Sequence, residues 1–246
     1  MSELKRGIFL DRDGVINRWQ KGTTGTDADY YILGWDQFEF LPGVMEAMFQ
    51  LYTMDYEVFV VSNQSGISKG LTYKGHPVTF KTIRYLFMIM DHEIMSSVRM
   101  QVELNNAGCG KTQIPCPEQR DPFKDNDYDN PMVIRDVMFC PHLPEHNCAC
   151  RKPKPGMIYW LAVRWGIDLS KSWMIGDQDS DISAGYNARI RDLVRIGSAA
   201  KEYAPSGVRV FGVQRGKGMR EQPGIILPTL LNAVQFIQDV DKWEAR

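Results

Sequence analysis

The stretch GIFLDRDGVIN, Gly7 to Asn17, decides how the rest of the chain is read. Ile8, Phe9 and Leu10 make a short apolar run of the kind that fills a buried parallel strand. Asp11 and Asp13 follow at once, and Gly14 lets the chain turn away. In open α/β sheets ligands bind outside the carboxyl ends of the strands, so two carboxylates here stand where chemistry is done. One can attack as a nucleophile or hold a hard cation while the other moves protons. The plainer alternative is an N-terminal strand that ends in an Asp-rich turn.

The neighbouring sequence repeats the strand rhythm. Residues 18–40 are polar and turn-rich and read as a flap beside the first strand's end. Pro42 and Gly43 open an amphipathic helix with Val44, Met48 and Leu51 on one face. Val58 to Val61 form a second apolar strand that ends in Ser62, Asn63 and Gln64. Strand, helix, strand is the signature of a parallel sheet. A helix is expected over Pro77 to Met95, where Phe80, Ile83, Phe87, Met90 and Ile94 form a stripe that reads as core. Residues 96–134, with several prolines, an Asn pair and the acidic tract DPFKDNDYDNP, read as an irregular insertion or lid. VIRDVMFC is a third strand, followed by a cysteine-rich loop at 140–150. A helix then starts at Gly156, with Met157, Trp160, Leu161 and Trp165 expected to be buried. SWMIGD and DLVRIG are the fourth and fifth strands, GIILP a last one, and a helix around Thr229 to Val240 closes the chain. One α/β domain over residues 1–246 with a central parallel sheet is the expectation.

Lys and Arg number 29 against 30 Asp and Glu, a near-neutral balance that gives no reason to expect nucleic acid or an anionic membrane as partner. No apolar run reaches the roughly 18 residues of a membrane span. The charges of MSELKRGIFLDRDG lie too close to a short apolar run for a signal peptide, so a cytoplasmic location is expected. Five cysteines, an odd number, argue against a disulfide framework. Cys140, Cys148 and Cys150 crowd one loop and look like metal ligands.

Four strand ends carry polar residues of different kinds: Asp11 with Asp13, Ser62, Arg151 with Lys152, and Asp177 with Asp181. Carboxylates from the first and fourth strands would converge on a hard cation such as Mg²⁺. A hydroxyl and a lysine beside them complete a kit for phosphoryl transfer, where charge neutralisation and alignment carry the rate. DRDGVIN, VVSNQSG, CRKPKPGM and MIGDQDSDI, in that order, resemble the four motifs of the haloacid-dehalogenase (HAD) superfamily of phosphatases. More narrowly, they resemble its histidinol-phosphate and heptose-bisphosphate phosphatase group. The resemblance covers Gly7 to Ala188 and implies a Rossmann-like, HAD-type three-layer sandwich without a large cap domain.

It also implies roles. Asp11 would be the nucleophile that forms an aspartyl-phosphate, and Asp13 the acid for the leaving alkoxide and then the base for water. Asp11 and Asp177 would hold Mg²⁺ through side chains and Asp13 through its carbonyl, with Asp181 orienting the site. Ser62 and Lys152 would steady the phosphoryl group, and Asn63, Gln64, Ser65 and Arg151 match substrate-contacting positions. Gln178, also placed with the substrate contacts, stands where heptose-cleaving relatives often carry a basic residue. Asp179 reads as a solvated surface carboxylate. Cys140, His142, Cys148 and Cys150 form C-x-H-x5-C-x-C, a set that suits a closed, structural Zn²⁺ site, and the family points to the same four ligands. His146 reads as an exposed neighbour.

Two look-alikes are set aside. NNAGCGKT, Asn105 to Thr112, ends like a P-loop but lacks its first glycine and meets Pro115 and Pro117 where a helix must start. The tract Asp125, Asp127, Asp129, Asn130 with Asp136 lacks the glycine and glutamate of a calcium loop and reads as solvated. Cys109 and Cys116 read as free thiols. The leading expectation is a Mg²⁺-dependent phosphomonoesterase for a small phosphorylated metabolite, first a heptose 1,7-bisphosphate and next histidinol phosphate. A nucleic-acid 3′-end phosphatase, using the basic run Arg215, Lys217 and Arg220, and a non-catalytic phospholigand binder are the competing classes.

Overall fold

The computed structural model describes residues 4–19, 30–108, 132–197, 209–213 and 222–245. Cys109, Cys116, most of the acidic tract and the basic run at 215–220 lie outside them. The strands are β1 Gly7–Leu10, β2 Glu57–Asn63, the short β3 Thr72–Tyr73 and β4 His76–Pro77, and β5 Asp136–Cys140. They continue with β6 Trp173–Gly176, β7 Asp192–Ile196, β8 Arg209–Val213 and β9 Gln222–Leu227. The helices are α1 Val44–Tyr52, α2 Phe80–Gly108, α3 Gly156–Trp165, α4 Asp179–Asn187 and α5 Leu230–Glu244.

The described residues form a seven-stranded sheet in the order β5-β2-β1-β6-β7-β9-β8. β1 pairs in parallel with β2 on one side and β6 on the other, with Leu10 opposite Val60 and Ile175. Only the outermost pair, β8 and β9, is antiparallel. Pleating then divides the core. Ile8 and Leu10 pack with α1, α2 and α5 on one face, while Phe9 and Phe59 pack with α3 and α4 on the other. This is the expected three-layer sandwich.

Several elements depart from the sequence reading. α2 runs 13 residues beyond Met95, to Gly108, so the first third of the expected insertion is helix. Ser96, Ser97 and the Asn pair hide a stripe that Val98 and Val102, both fully buried, carry on from Ile94. Trp160 is 48% exposed rather than core, and Ile158 and Ala162 take the place expected for it. The third strand is shorter than VIRDVMFC, because Val133 and Ile134 precede it as buried loop residues. β8 and the β3–β4 hairpin were not expected at all.

Candidate active site

β1 delivers Asp11 to the carboxyl edge of the sheet, where its backbone N–H still pairs with the Ile175 carbonyl at 2.9 Å. The chain then coils. Gly14 adopts φ +85°, and its N–H returns to the Asn17 carbonyl at 2.8 Å. A Cβ at Gly14 would stand 2.3 Å from Asp177 Oδ2, so glycine is required there by both conformation and space.

Lys152 is the hinge of the charge arrangement. Its side chain is 2% exposed, and Nζ lies 2.8 Å from both Asp11 Oδ1 and Asp181 Oδ1 while donating to the Val61 carbonyl at 2.7 Å. Burial pulls the ammonium pKa down, but attraction to Asp11 and Asp181 outweighs it and holds the group above its ordinary value. Burial, with repulsion from Asp181, pushes the Asp11 carboxyl up to about 7. A buried anion of this kind needs cations around it.

Asp13 is held differently. Arg12, wholly buried and stacked 5.0 Å from the Phe87 ring, donates Nε and Nη2 to Asp13 Oδ1 at 3.1 and 2.7 Å and Nη2 to Oδ2 at 2.8 Å. Asn17 Nδ2 and Gln64 Nε2 add bonds of 2.9 Å each. Gln64 Nε2 also donates to the Ser62 hydroxyl at 2.9 Å, and Ser65 shares a 2.9 Å hydrogen bond with Tyr31. Asn63 binds the backbone of Lys152 in both directions, at 3.0 and 3.1 Å, and thereby ties β2 to the lysine loop. Arg151 donates to the His142 carbonyl at 2.9 Å and borders the cleft.

After β6, Asp177 accepts from Trp19 Nε1 at 2.8 Å and Gln178 Nε2 at 2.7 Å, both on Oδ2. Its Oδ1 is buried without a hydrogen-bond partner. Burial raises this carboxyl as well. Asp181, 1% exposed, accepts from the Gln178 N–H at 2.9 Å and so caps α4. Gly176 leaves the room it needs, since a Cβ there would stand 2.2 Å from Asp181 Cβ. Asp179 is exposed but pairs with Arg195 at 2.6 Å.

One carboxylate oxygen each from Asp11, Asp177 and Asp181 lies within 4.8 Å of the others. Hard oxygen donors, one of them a buried oxygen with no hydrogen bond, fit a small divalent cation. The side chain of Asp13 is outside this cluster. Asp11, Asp13 and Asp181 open into a cavity of about 360 Å³ that also meets Lys152, Ser62, Trp19 and Tyr31. A larger hollow of about 460 Å³ between α2 and α3 holds none of them.

Beside the cleft, Cys140 Sγ lies 3.6 Å from Cys148 Sγ and 3.5 Å from His142 Nδ1. Cys150 Sγ lies 3.3 Å from His142 Nδ1, 3.3 Å from Cys140 Sγ and 3.4 Å from Cys148 Sγ. A tetrahedral zinc with bonds of about 2.0–2.3 Å separates its ligand atoms by about 3.3–3.8 Å, so the four residues fit it. His146 stands outside this set, exposed, and its Nδ1 accepts from the Leu143 N–H at 3.4 Å.

A Helicobacter pylori protein named D-glycero-beta-D-manno-heptose-1,7-bisphosphate 7-phosphatase is 30% identical over 192 residues, 78% of this chain and 83% of its own. The chain belongs to the HAD-like hydrolase family. The family model described as HAD-hydrolase-like matches residues 149–209, a span that includes Lys152, Asp177 and Asp181. A Rhodopseudomonas palustris protein of the same name is 32% identical, over 74% of this chain and 78% of its own. The HAD fold recurs in the crystal structure of D,D-heptose 1,7-bisphosphate phosphatase from Bordetella bronchiseptica, solved with magnesium and phosphate. That match has a TM-score of 0.60 at 24% identity and covers 95% of this chain and 99% of the other. A HAD-like phosphatase from Mesorhizobium loti matches with a TM-score of 0.53 at 20% identity, over 96% and 88%.

Within this HAD frame, sequence reasoning missed Arg12 and Trp19. Arg12 carried a faint signal, a cation between two acids in a stretch otherwise read as buried. Trp19 carried none, because nothing in the sequence says which strand end a flap residue will meet.

Proposed function

We propose that the chain is a Mg²⁺-dependent phosphomonoesterase that acts on D-glycero-D-manno-heptose 1,7-bisphosphate and releases the 7-phosphate. The observation that carries this reading is the Asp11–Lys152–Asp181 ion cluster lining one cleft, with the partnerless oxygen of Asp177 beside it. The names of the relatives supply the sugar.

Asp11 attacks phosphorus and becomes an aspartyl-phosphate as the P–O bond to C7 breaks. Asp13 gives the leaving alkoxide its proton and then takes one from the water that cleaves the acyl phosphate. To do so it exchanges one of its bonds from Arg12, Asn17 or Gln64 for the reacting oxygen. Lys152 neutralises Asp11 before attack and the phosphoryl oxygens during it, and Ser62 offers a hydroxyl at the end of β2. Asp11, Asp177 and the Asp13 carbonyl would hold Mg²⁺, which would supply further neutralisation of phosphoryl charge when bound. Asn63, Ser65, Arg151 and Gln178 form the substrate wall, while Gln64, expected there from the sequence, is buried behind it and holds Asp13 and Ser62 instead.

In the loop 140–150, Cys140, His142, Cys148 and Cys150 would hold a structural Zn²⁺, whose chemistry would be to tie the loop together rather than to activate water. Thiolate ligands of this kind suit a reducing compartment such as the cytoplasm. Residues 1–246 act as one phosphatase domain, a reading supported by strands from both ends of the chain in one sheet.

The test is phosphate release from heptose 1,7-bisphosphate, histidinol phosphate and a 3′-phosphorylated oligonucleotide, with and without Mg²⁺. Mg²⁺-dependent release that favours the heptose is expected. Preference for either competitor substrate, or turnover that survives Asp11→Asn, overturns the reading.

A further inference from the structure

Trp19 is a surface aromatic that ends up bonded to a carboxylate 158 positions away. The structure assigns it the role of a positioning residue that decides how Asp177 meets its cation. The inference rests on the reading of Asp177 as a cation ligand. With Trp19 Nε1 and Gln178 Nε2 both on Oδ2, that oxygen is committed, and only the buried Oδ1 is left for a metal. A carboxylate divided in this way binds through one oxygen. Mg²⁺ wants single oxygens in a tight octahedron, whereas Ca²⁺ readily takes both oxygens of one carboxylate.

The contact is built into the turn after β1. A Cβ on Gly14 would stand 2.5 Å from Trp19 Nε1 as well as against Asp177, so only glycine lets the indole reach its acceptor. Trp19 itself is 42% exposed and borders the cleft, so deleting its donor leaves the core intact. Trp19 thus selects for Mg²⁺ over Ca²⁺ by keeping Asp177 from swinging to bidentate binding.

Trp19→Phe keeps an aromatic wall and removes only the N–H. The full-length wild type, Trp19→Phe and Asp177→Ala are titrated with Mn²⁺, with the free ion followed by electron paramagnetic resonance and Mg²⁺ or Ca²⁺ as competitor. Trp19→Phe is expected to weaken Mg²⁺ binding about tenfold or more and Ca²⁺ binding by less than about threefold, so the Mg²⁺/Ca²⁺ preference falls. In turnover the Mg²⁺ requirement rises while kcat at saturating Mg²⁺ stays within about twofold. Equal Mg²⁺ binding by wild type and Trp19→Phe, with Asp177→Ala impaired, overturns this inference alone. So does a proportional loss of both ions, which would make Trp19 mere scaffolding. Identical binding by wild type and Asp177→Ala removes Asp177 as a ligand, and both readings fall.

Discussion

Asp11 is a carboxylate that the fold prefers protonated, because burial and the nearby Asp181 outweigh the pull of Lys152. Its folded pKa of about 7 lies above the ordinary 3.8, so the folded state holds this proton more tightly than the unfolded chain does. Stability of the metal-free protein therefore falls as pH rises through that interval. Asparagine cannot ionise, so Asp11→Asn is expected to melt higher than the parent at pH 8 without Mg²⁺. The same variant should lose turnover by at least about 10³-fold. Thermal unfolding and phosphate release on one preparation check both. Residues such as Asp11, Ser62 and Asp177 were legible because each follows an apolar run directly, and strand polarity fixes where such residues emerge. Arg12 and Trp19 were not, because their partners are set by how the turn coils and where the flap lies.

At the scale of elements, the proposed zinc of loop 140–150 would be metal standing in for core. Residues 141–150 have little buried apolar surface, and burial pushes the Cys140 thiol up to about 12. Zinc binding to apo-protein at pH 7 should therefore release protons, readable by calorimetry in buffers of different ionisation enthalpy. Cys148→Ser should lower zinc from about one per chain to near none by elemental analysis, with a lower melting temperature. A second cluster joins three strands at the opposite end of the sheet. Glu57, at the start of β2, accepts from Arg135 at 2.6 Å and Lys5 at 2.6 Å. Burial opposes its charge, but these bonds prevail and hold the carboxyl below its ordinary 4.5. Its contribution is complete above that value and is lost as pH falls through the lower folded value. Glu57→Gln should cost about 1–3 kcal/mol at pH 7 and flatten the acid limb of stability below pH 4.5 in urea titrations. Apolar periodicity located α1, α2, α3 and α5 but passed over the polar α4, and it did not show where α2 stops, since serines and asparagines on an exposed face do not break a helix whose buried face continues. β8 escaped for a related reason: an antiparallel edge strand adds little to the alternation of strands and helices.

For the molecule as a whole, the cleft is assembled from residues 11, 62, 152, 177 and 181, brought together by β1, β2, the turn before α3, the end of β6 and α4. A ligand bridging them binds only the folded chain. Mg²⁺ with inorganic phosphate at a hundred times its dissociation constant should add about 2.7 kcal/mol, or roughly 5–10 °C in a chain of this size by thermal shift. Mg²⁺ and phosphate added singly should do less. Topology explains why so much of this was readable: strand order makes β1 an interior strand, third of seven, with its partners β2 and β6 on either side. Neighbouring parallel strands stand about 4.8 Å apart, and Asp11 and Asp177 sit at the tips of two such neighbours. Backbone pairing, not side-chain reach, therefore sets the gap between them, and the sheet would work as a gauge block for the proposed ion. A glutamate at either tip would carry the right charge about 1.5 Å too far. Asp11→Glu and Asp177→Glu should each fold with unchanged net charge yet lose at least about 100-fold in phosphate release.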